Sequence, residues 1–365
     1  MRPTKHSDEN HLRKCLELAS HGSGFVSPNP MVGCVIVRNG TVVGEGYHRQ
    51  FGGPHAEVEA LRRAGRRAKG ATLYVNLEPC SHRGKTPPCV DAIIRAGIVR
   101  VVACSADPNP LVSGRGVKKL RRAGIRVGIG LLRKESEKLN ERFFTFMRTR
   151  LPFVGVKIAQ TLDGRVADSH GESKWITSRG ARKEGHRLRT QYDAIIVGAN
   201  TIMVDNPRLT VRHVKGRNPL RVIFDPTLRL RLRSEVFNTR KAGTLVFTSA
   251  RAMSRKKHVV ARLSRQGVYL LGLDKGKPFD LGVVLRTLAA LGVSSVLIEW
   301  GPSTASEFLS RHLVNKVHVF VAQRILGGGI SSVALKPPLS LISSLKLHDV
   351  TCRGVGQDYL IEGSL

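Results

Sequence analysis

The feature that most constrains this chain is one histidine and two cysteines at the spacing of a metal site: His55, Cys80 and, after eight intervening residues, Cys89. Zinc is satisfied by one imidazole and two thiolates, and such a set leaves the fourth position to water, whose pKa falls towards ~7. Glu57 follows the histidine by two residues and is not needed as a ligand, so it can carry protons. A zinc site of this kind requires a fold that brings these four side chains together.

This pattern predicts a zinc-dependent deaminase, because H-x-E followed by P-C and a second cysteine is typical of zinc enzymes that remove amino groups from nucleobases. The alternative is a closed structural zinc site, which would normally have a fourth Cys or His at short spacing. Glu59 is a competing carboxylate on the same predicted helix, but at ~100° per residue it points nearly opposite to Glu57. We therefore predict Glu57 as the catalytic residue and His55, Cys80 and Cys89 as the metal ligands.

Helices and strands alternate along the first half, which predicts a three-layer α/β/α sheet. The expected helices are 11–20, 55–64, 88–96 and 114–123, and the expected strands are 32–37, 41–46, 71–77, 99–104 and 125–129. Residues 140–150 form the predicted bridge to a second unit. There a strand leads into a glycine-containing helix start at 295–307, where backbone N–H groups around Gly301 to Thr304 suit a dinucleotide phosphate.

Length and composition predict two soluble catalytic units. A chain of 365 residues exceeds what one hydrophobic core usually supports, and we predict two domains, 1–148 and 149–365. Hydrophobic residues make up 41%, and no apolar run approaches ~18 residues, so no membrane span is expected. The six cysteines lack the density of a secreted disulfide scaffold, and two are better explained as metal ligands. We therefore expect a cytoplasmic protein.

The formal net charge of +33 raises the hypothesis of nucleic-acid binding. Residues 1–150 hold 27 Lys/Arg against 12 Asp/Glu, and residues 151–365 hold 33 against 15, so the excess is spread evenly. Nucleic-acid binding favours a concentrated basic stripe with interleaved aromatic residues, and aromatics are only 5% of this chain. We expect a solvated basic surface that partly steers phosphorylated substrate and dinucleotide, and no nucleic-acid partner.

The loop between the two cysteines is longer than the two residues that are usual in nucleic-acid deaminases. At 81–88 it is polar and suits a phosphorylated or sugar-bearing substrate. Four segments carry the inference further: SPNPMVGCVIV at 27–37, GEGYHRQFGGPHAE at 44–57, EPCSHRGKTPPC at 78–89 and ADPNPLVSGRG at 106–116. Together they resemble the bifunctional riboflavin-biosynthesis deaminase/reductase family, and the similarity continues through the second half.

The resemblance implies a cytidine-deaminase-like first domain that binds one Zn²⁺ per chain. It would deaminate 2,5-diamino-6-ribosylamino-4(3H)-pyrimidinone 5′-phosphate, a small phosphorylated pyrimidine. Asn29 and His48 match family positions that contact the pyrimidine or ribose, and Lys85 matches a position facing the phosphorylated sugar. From the residues alone, Asn29 before Pro30 would equally serve to shape a turn.

The resemblance also implies a dihydrofolate-reductase-like second domain. There NADPH would reduce the ribosyl chain by hydride delivery to C1′, giving 5-amino-6-ribitylaminouracil 5′-phosphate. The implied substrate positions are Lys157, Ser173, Arg189, Leu209, Arg212 and Glu299. The implied NADP positions are Ala159, Trp175, Thr201, Asp205, Gly301, Pro302, Ser303 and Thr304. Taken singly, Trp175 would also fit a core position, and Arg212 a solvated surface.

Three positions depart from the family pattern: Thr161 where serine is usual, Pro226 where a hydroxyl residue is common, and Trp300 where a small residue is usual beside the cofactor turn. Two rival hypotheses stay open. A nucleic-acid deaminase would explain the charge, but neither the cysteine spacing nor the second half. A second domain used only for dimerisation would have no need of Lys157, Asp205 and Glu299, which are all present. We also expect a homo-oligomer.

Overall fold

The computed structural model describes residues 5–82, 87–109, 113–273, 280–299, 301–335 and 337–365. Contacts divide the chain into two compact units, Met1–Arg150 and Leu151–Leu365. This division falls two residues after the boundary placed from the sequence, because a helix runs on to Thr149 and ends at Arg150 in a left-handed conformation. None of the described helices has the length and apolar character that crossing a membrane requires.

The first unit alternates strands and helices around one sheet. Its elements are α1 (Lys5–Ser20), β1 (Gly33–Arg38), β2 (Thr41–Tyr47), α2 (Ala56–Ala64), β3 (Thr72–Leu77), α3 (Cys89–Arg95), β4 (Arg100–Ser105), α4 (Arg115–Arg122), β5 (Arg126–Ile129), α5 (Arg133–Leu139) and α6 (Glu141–Thr149). The five strands follow the order β2-β1-β3-β4-β5. β1 pairs antiparallel with β2 and β3, whereas β3, β4 and β5 run parallel, so their carboxyl ends meet at one edge.

Alternating strand residues bury both faces of this sheet. Ile36 and Leu73 pack with α2, α3 and α4 on one face, whereas Val35 and Tyr74 pack with α1 on the other. This arrangement follows from the period-two pattern of strands, which sends successive side chains to opposite faces. The predicted three-layer α/β/α architecture is confirmed.

Helix α1 begins at Lys5, six residues before its predicted start, so that part of the sequence prediction was wrong. Asp8 lies within the added turns and is buried. It accepts two hydrogen bonds from the Arg100 guanidinium, at 2.6 and 2.9 Å, and one from the Tyr74 hydroxyl at 2.8 Å. This contact with β3 and β4 holds the added turns against the sheet, and it cannot be read from local sequence.

Helix α2 approaches strand β2 so closely that only glycine fits between them. A Cβ atom at Gly46 would lie 2.5 Å from the carbonyl oxygen of Ala56, and one at Gly44 would lie 2.3 Å from that of Ala60. The absence of side chains at these positions lets the first turn of α2 rest on the strand. This packing fixes the place of His55, the residue that precedes the helix.

The second unit is built on a larger, mainly parallel sheet. Its elements are β6 (Phe153–Thr161), β7 (Arg165–Ala167), α7 (Arg179–Thr190), β8 (Ala194–Gly198), α8 (Ala199–Asp205), β9 (Leu220–Phe224), β10 (Thr244–Ser249), α9 (Ala250–Arg255), α10 (Lys257–Arg265), β11 (Tyr269–Leu273), α11 (Leu281–Ala290), β12 (Ser295–Glu299), α12 (Pro302–Ser310), β13 (Lys316–Ala322), β14 (Ile330–Ser331), β15 (His348–Val355) and β16 (Asp358–Ser364). Nine strands follow the order β11-β10-β9-β8-β12-β6-β13-β16-β15, and β7 pairs with β14.

Neighbouring strands from β11 to β13 are parallel, and β16 and β15 continue the sheet antiparallel. Helices cover both faces: α11 and α12 pack on one side around Phe308, and α8, α9 and α10 pack on the other around Ile195 and Ile223. The carboxyl ends of β6, β8, β9 and β12 therefore meet at one edge, which is where open α/β sheets bind ligands. This is the α/β architecture expected for the second domain.

Candidate active sites

Three elements of the first unit converge on the predicted metal ligands. His55 is the N-cap residue of α2, Cys80 follows β3, and Cys89 is the first residue of α3. The Nδ1 atom of His55 lies 3.2 Å from Sγ of Cys89 and 3.6 Å from Sγ of Cys80. The three ligand atoms all lie within 4.8 Å of one another, which fits three positions of one tetrahedral zinc ion, and the described residues add no fourth member to the group.

Hydrogen bonds between the two cysteines change the pKa values of both thiols. Cys80 accepts hydrogen bonds from the Cys89 thiol and, at 3.4 Å, from the Cys89 N–H, and these bonds lower the pKa of Cys80 to about 4. The same pairing, together with burial, raises the pKa of Cys89. A cation bound between the two sulfur atoms would displace thiol protons, because the thiolate is the form that binds a metal.

Glu57 lies in the first turn of α2, beside these ligands, and is only 3% exposed. Burial raises the pKa of Glu57, which suits a carboxyl group that must accept and release protons near neutral pH. The competing carboxylate, Glu59, instead forms an ion pair with Arg62 at 2.8 Å. The geometry therefore favours Glu57 as the proton carrier.

A buried histidine orients the amide of Asn29. The Nδ1 atom of His48 lies 2.9 Å from the carbonyl oxygen of Pro54, which can only accept, so Nδ1 carries the proton. Burial lowers the pKa of His48, so the ring is neutral and its Nε2 atom accepts from the Asn29 amide at 3.2 Å. The Asn29 carbonyl oxygen is then available to accept from a ligand N–H. Lys85 lies outside the described residues.

Glu78, two residues before Cys80, is a site residue that the sequence pattern did not reveal. Its side chain is buried, and its carboxylate accepts backbone N–H groups from Asp107 at 3.3 Å, Gly114 at 2.9 Å and Val117 at 3.1 Å. These bonds fasten the loop after β4 and the start of α4 to the segment that carries a metal ligand. The adjoining E-P-C sequence was the available signal.

In the second unit, a buried ion pair between Arg189 and Glu299 lies at the carboxyl end of β12, beside the middle of β6. Lys157 and Glu299 are in register on these strands, and Arg189 of α7 donates two hydrogen bonds to Glu299, both at 2.6 Å. Burial would raise the pKa of Glu299, but Arg189 and Lys157 lower it. Burial lowers the pKa of Lys157. The trio combines a fixed carboxylate with an ammonium group that holds its proton less tightly than usual.

The loop after α8 brings Arg212 towards the same ion pair. Thr210 links the two arginines, because its carbonyl oxygen accepts from Arg189 at 3.0 Å and its hydroxyl from Arg212 at 3.2 Å. The N–H of Arg212 donates to Nδ1 of His186 at 3.2 Å, and burial and the two arginines lower the pKa of His186 to about 4. The Leu209 side chain packs in the core.

A cavity of about 570 Å³ lies at the carboxyl ends of β8, β9 and β12. A Cβ atom at Gly301, whose φ is +136°, would lie 3.2 Å from Oγ1 of Thr201 and 3.6 Å from Oγ1 of Thr304, so glycine leaves a cradle open between two hydroxyls. Pro226 also lines the cavity, whereas Trp300 lies outside the described residues. Of the predicted cofactor residues, the cavity is lined by Thr201, Gly301, Pro302, Ser303 and Thr304. A dinucleotide fits this combination of volume and helix N-terminus.

Other predicted residues lie elsewhere in the described part of the second unit. Trp175 is 65% exposed, so it is not a core residue, and its ring lies 4.3 Å from the Arg182 guanidinium. It lines a separate polar cavity of about 350 Å³. Ala159 packs beside the cluster of α7, β13 and β16, Asp205 ends α8, and Ser173 is half-buried between β7 and α7.

The turn after β6 explains one departure from the family pattern. The Thr161 hydroxyl donates to Asp163 at 2.6 Å and accepts the N–H of Arg165 at 2.9 Å. Asp163 also accepts the N–H groups of Leu326 and Gly327, at 3.2 and 2.9 Å. Threonine therefore supplies the hydroxyl that this turn uses, as serine would.

The fold and these two sites define a class of protein: an enzyme that joins a zinc-dependent deaminase domain to a dinucleotide-dependent reductase domain. Two family models agree with this class. The cytidine and deoxycytidylate deaminase zinc-binding region matches residues 5–105, and the RibD C-terminal domain matches residues 152–361. Relatives match along nearly the whole chain. The riboflavin biosynthesis protein RibD of Aquifex aeolicus is 45% identical over 97% of both chains, and that of Escherichia coli is 41% identical over 96% of this chain and 97% of its own.

Solved structures give the same result. RibD of Acinetobacter baumannii has a TM-score of 0.87 at 36% identity and covers 98% of both chains. The diaminohydroxyphosphoribosylaminopyrimidine deaminase/5-amino-6-(5-phosphoribosylamino)uracil reductase of Thermotoga maritima has a TM-score of 0.86 at 39% identity and covers 98% of this chain and 99% of its own. The chain belongs to the RibD family of bifunctional riboflavin-biosynthesis enzymes. The family predicted from the four sequence segments is confirmed, as is the pairing of deaminase with reductase.

Proposed function

We propose that the first unit binds one zinc ion through His55, Cys80 and Cys89 and deaminates 2,5-diamino-6-ribosylamino-4(3H)-pyrimidinone 5′-phosphate. The observation that carries this proposal is the approach of the three ligand atoms to within 4.8 Å of one another, beside the buried Glu57. Zinc in such a ligand set supplies an activated water for attack on the ring carbon that bears the amino group.

The protein side chains then transfer protons and orient the substrate. Glu57 carries protons to the ring nitrogen and to the departing ammonia, and its raised pKa supports this role. The Asn29 oxygen accepts a pyrimidine N–H, and the hydrogen bond between His48 and the Asn29 amide holds that orientation. Lys85 is proposed to meet the substrate phosphate.

We propose that the second unit uses NADPH, which supplies the hydride for C1′, to reduce the ribosyl chain of the deaminated product. Lys157 and Glu299, with Arg189 fixing the carboxylate, orient the ribosyl hydroxyls beside the cofactor. Arg212 binds the 5′-phosphate, because it is tied to this ion pair and can form charge-assisted bonds to an anion. Ser173 and the backbone of Leu209 complete the substrate site.

The proposed cofactor site centres on the 570 Å³ cavity. Its support is the cradle at Gly301, framed by the hydroxyls of Thr201 and Thr304 at the start of α12. Helix N-termini of this kind bind diphosphate groups. The remaining predicted contacts, to parts of NADPH that extend beyond this cavity, are Ala159, Trp175 and Asp205.

Glu57→Gln tests the deaminase proposal. We expect the variant to keep one zinc per chain, since the amide is isosteric, and to lose deamination by about 10²- to 10⁴-fold, since it cannot carry protons. Zinc content and ammonia release are the measurements, and reduction of supplied deaminated intermediate should be unchanged. Glu59→Gln is the matched control on the same helix, and it should deaminate nearly as wild type because its carboxylate pairs with Arg62.

Loss of zinc together with activity in Glu57→Gln would contradict the proposed role, because Glu57 would then be needed for the metal site itself. Full activity of the variant would contradict it as well. A protein that binds no zinc after purification with the metal present would overturn the assignment of the three ligands.

A further inference from the structure

Helix α7 holds the loop that carries Arg212 through two side chains on one face. His186 and Arg189 are three residues apart on this helix, so their side chains are neighbours. The Arg189 guanidinium donates to the carbonyl oxygen of Thr210 at 3.0 Å. Nδ1 of His186 accepts the N–H of Arg212 at 3.2 Å. One bond fixes a carbonyl and the other fixes an N–H two residues later, so the backbone that leads into Arg212 is held at both ends.

His186 accepts this bond as a neutral ring. The side chain is buried, and the ring of His213 lies 4.5 Å away at right angles to it. Burial lowers the pKa of His186 to about 4, together with the positive charges of Arg189 and Arg212. His213 adds to this effect, and Glu299 opposes it. At pH 7 the ring therefore carries its proton on Nε2, and the lone pair of Nδ1 meets the backbone N–H.

A neutral acceptor at this position leaves the charge of Arg212 available. The guanidinium of Arg212 donates to the Thr210 hydroxyl and its N–H donates to the imidazole, so neither bond offsets the positive charge. The nearby carboxylate of Glu299 is bound by Arg189 through two hydrogen bonds of 2.6 Å. A carboxylate in place of the imidazole could accept the same N–H, but it would attract the guanidinium and compete with an anionic ligand.

We propose that His186 is a positioning residue, which holds the backbone of Arg212 and leaves the charge of Arg212 free to bind the 5′-phosphate of the substrate. The inference rests on the proposed phosphate role of Arg212 and adds the residue through which α7 supports that role. His186 acts through Arg212 and not by contact with the phosphate. A guanidinium bonds phosphate oxygens in a fixed fork geometry, so a rotation of the backbone that carries it weakens binding.

The phosphate preference of the second unit tests this role. It is the ratio of kcat/KM for the phosphorylated, deaminated intermediate to kcat/KM for the same compound without its phosphate, both at saturating NADPH. His186→Leu should lower this ratio about 5- to 20-fold, because the N–H of Arg212 loses its acceptor. His186→Asn should keep the ratio within about twofold of wild type, since its side-chain oxygen can take the place of Nδ1. His186→Asp should lower the ratio at least as far as His186→Leu, because its charge offsets that of Arg212.

A double variant shows whether His186 acts through Arg212. His186→Leu combined with Arg212→Ala should have the same ratio as Arg212→Ala alone, because a positioning residue has no effect once the residue that it positions is gone. The dissociation constant of NADPH, read from the fluorescence of the bound nicotinamide, should stay close to that of wild type and shows that the second unit is folded. If His186→Leu fails to bind NADPH, the isosteric variants His186→Asn and His186→Asp decide the question by themselves.

The outcomes separate this role from the proposed phosphate contact. A wild-type ratio in His186→Leu, or equal ratios in His186→Asn and His186→Asp, overturns the positioning role alone. A double variant whose loss is the product of the two single losses overturns it too, because His186 would then act independently of Arg212. A wild-type ratio in Arg212→Ala overturns the phosphate contact and the positioning role with it. Wild type that reduces neither compound overturns the proposed reductase function itself.

Discussion

The two active sites are built differently, although both lie at the carboxyl ends of parallel strands. In the first unit, three ligand atoms lie within 4.8 Å of one another, and buried side chains fasten the surrounding loops. In the second unit, the groups extend along a sheet edge, from an ion pair to a cavity of about 570 Å³. Metal chemistry needs a few atoms to converge, whereas a dinucleotide needs an extended surface. A change near the metal should therefore abolish one whole activity, and a change in the extended site should affect one ligand at a time.

Three variants test this contrast between the two sites, and Glu78→Gln should have the largest effect. The amide retains only one acceptor for three backbone N–H groups, so the Cys80 segment loses its attachment to the loop after β4. We expect zinc affinity to fall about 10- to 100-fold, as for other residues that support metal ligands, with reduction unchanged. Competition with a chelator measures the affinity. Unchanged zinc affinity, with normal spectra of the cobalt-substituted protein, would show that the loop does not position Cys80.

The compactness of the first site explains why its residues could be predicted from the sequence. His55, Cys80 and Cys89 are chemically distinctive, and the structure brings their ligand atoms together as their spacing predicted. Glu78 escaped prediction because its partners are backbone N–H groups beyond the next strand, and the adjoining E-P-C sequence marks its position but not this role.

The reductase half was less predictable for a physical reason. Its turn at 301–304 was visible, because a strand, a glycine and a helix start follow one another along the chain. Leu209 is buried by contacts with the cluster around α8, α9 and α10, and the bond from Arg212 to His186 depends on how α7 meets a loop. Propensity and periodicity encode neither. The exposure of Trp175 likewise follows from tertiary structure.

Arg212→Ala should affect one ligand of the second unit. Removing a charge-assisted phosphate contact costs about 1.5–3 kcal/mol, so KM for the deaminated phosphorylated intermediate should rise about 10- to 100-fold while KM for NADPH changes little. Steady-state reduction kinetics with each ligand varied in turn provide the measurement. Equal changes in both constants would contradict the phosphate role, and Arg208→Ala, on the same loop, is a control of equal charge.

Asp8→Asn should give the smallest effect, on stability alone. Burial would raise the pKa of Asp8, but the hydrogen bonds from Arg100 and Tyr74 lower it. A depressed carboxyl pKa adds stability above the unfolded value of ~3.9 and loses it as the pH falls through the folded value. At pH 7 the variant should lose about 1.5–3 kcal/mol, the worth of hydrogen bonds to a charged group, and the difference should shrink as the pH approaches the acid range below about 4.

Urea unfolding at several pH values checks this prediction. Release of zinc reports on the first unit, and tryptophan fluorescence reports on the second, because both tryptophans, Trp175 and Trp300, lie there. Only the first transition should move in the variant. A stability difference that is constant from pH 7 to the acid range would show that the Asp8 charge is not what matters.

Two independent measurements on one sample test most directly whether the chain carries both a deaminase and a reductase. The purified protein is incubated with the phosphorylated diaminopyrimidinone, with and without NADPH, while ammonia release and NADPH oxidation are followed independently. Ammonia should appear without NADPH, and NADPH should be oxidised only when the substrate has been supplied and deaminated. Ammonia release without substrate-dependent NADPH oxidation would show that the second unit is not a reductase, and no ammonia release from zinc-loaded protein would contradict the deaminase itself.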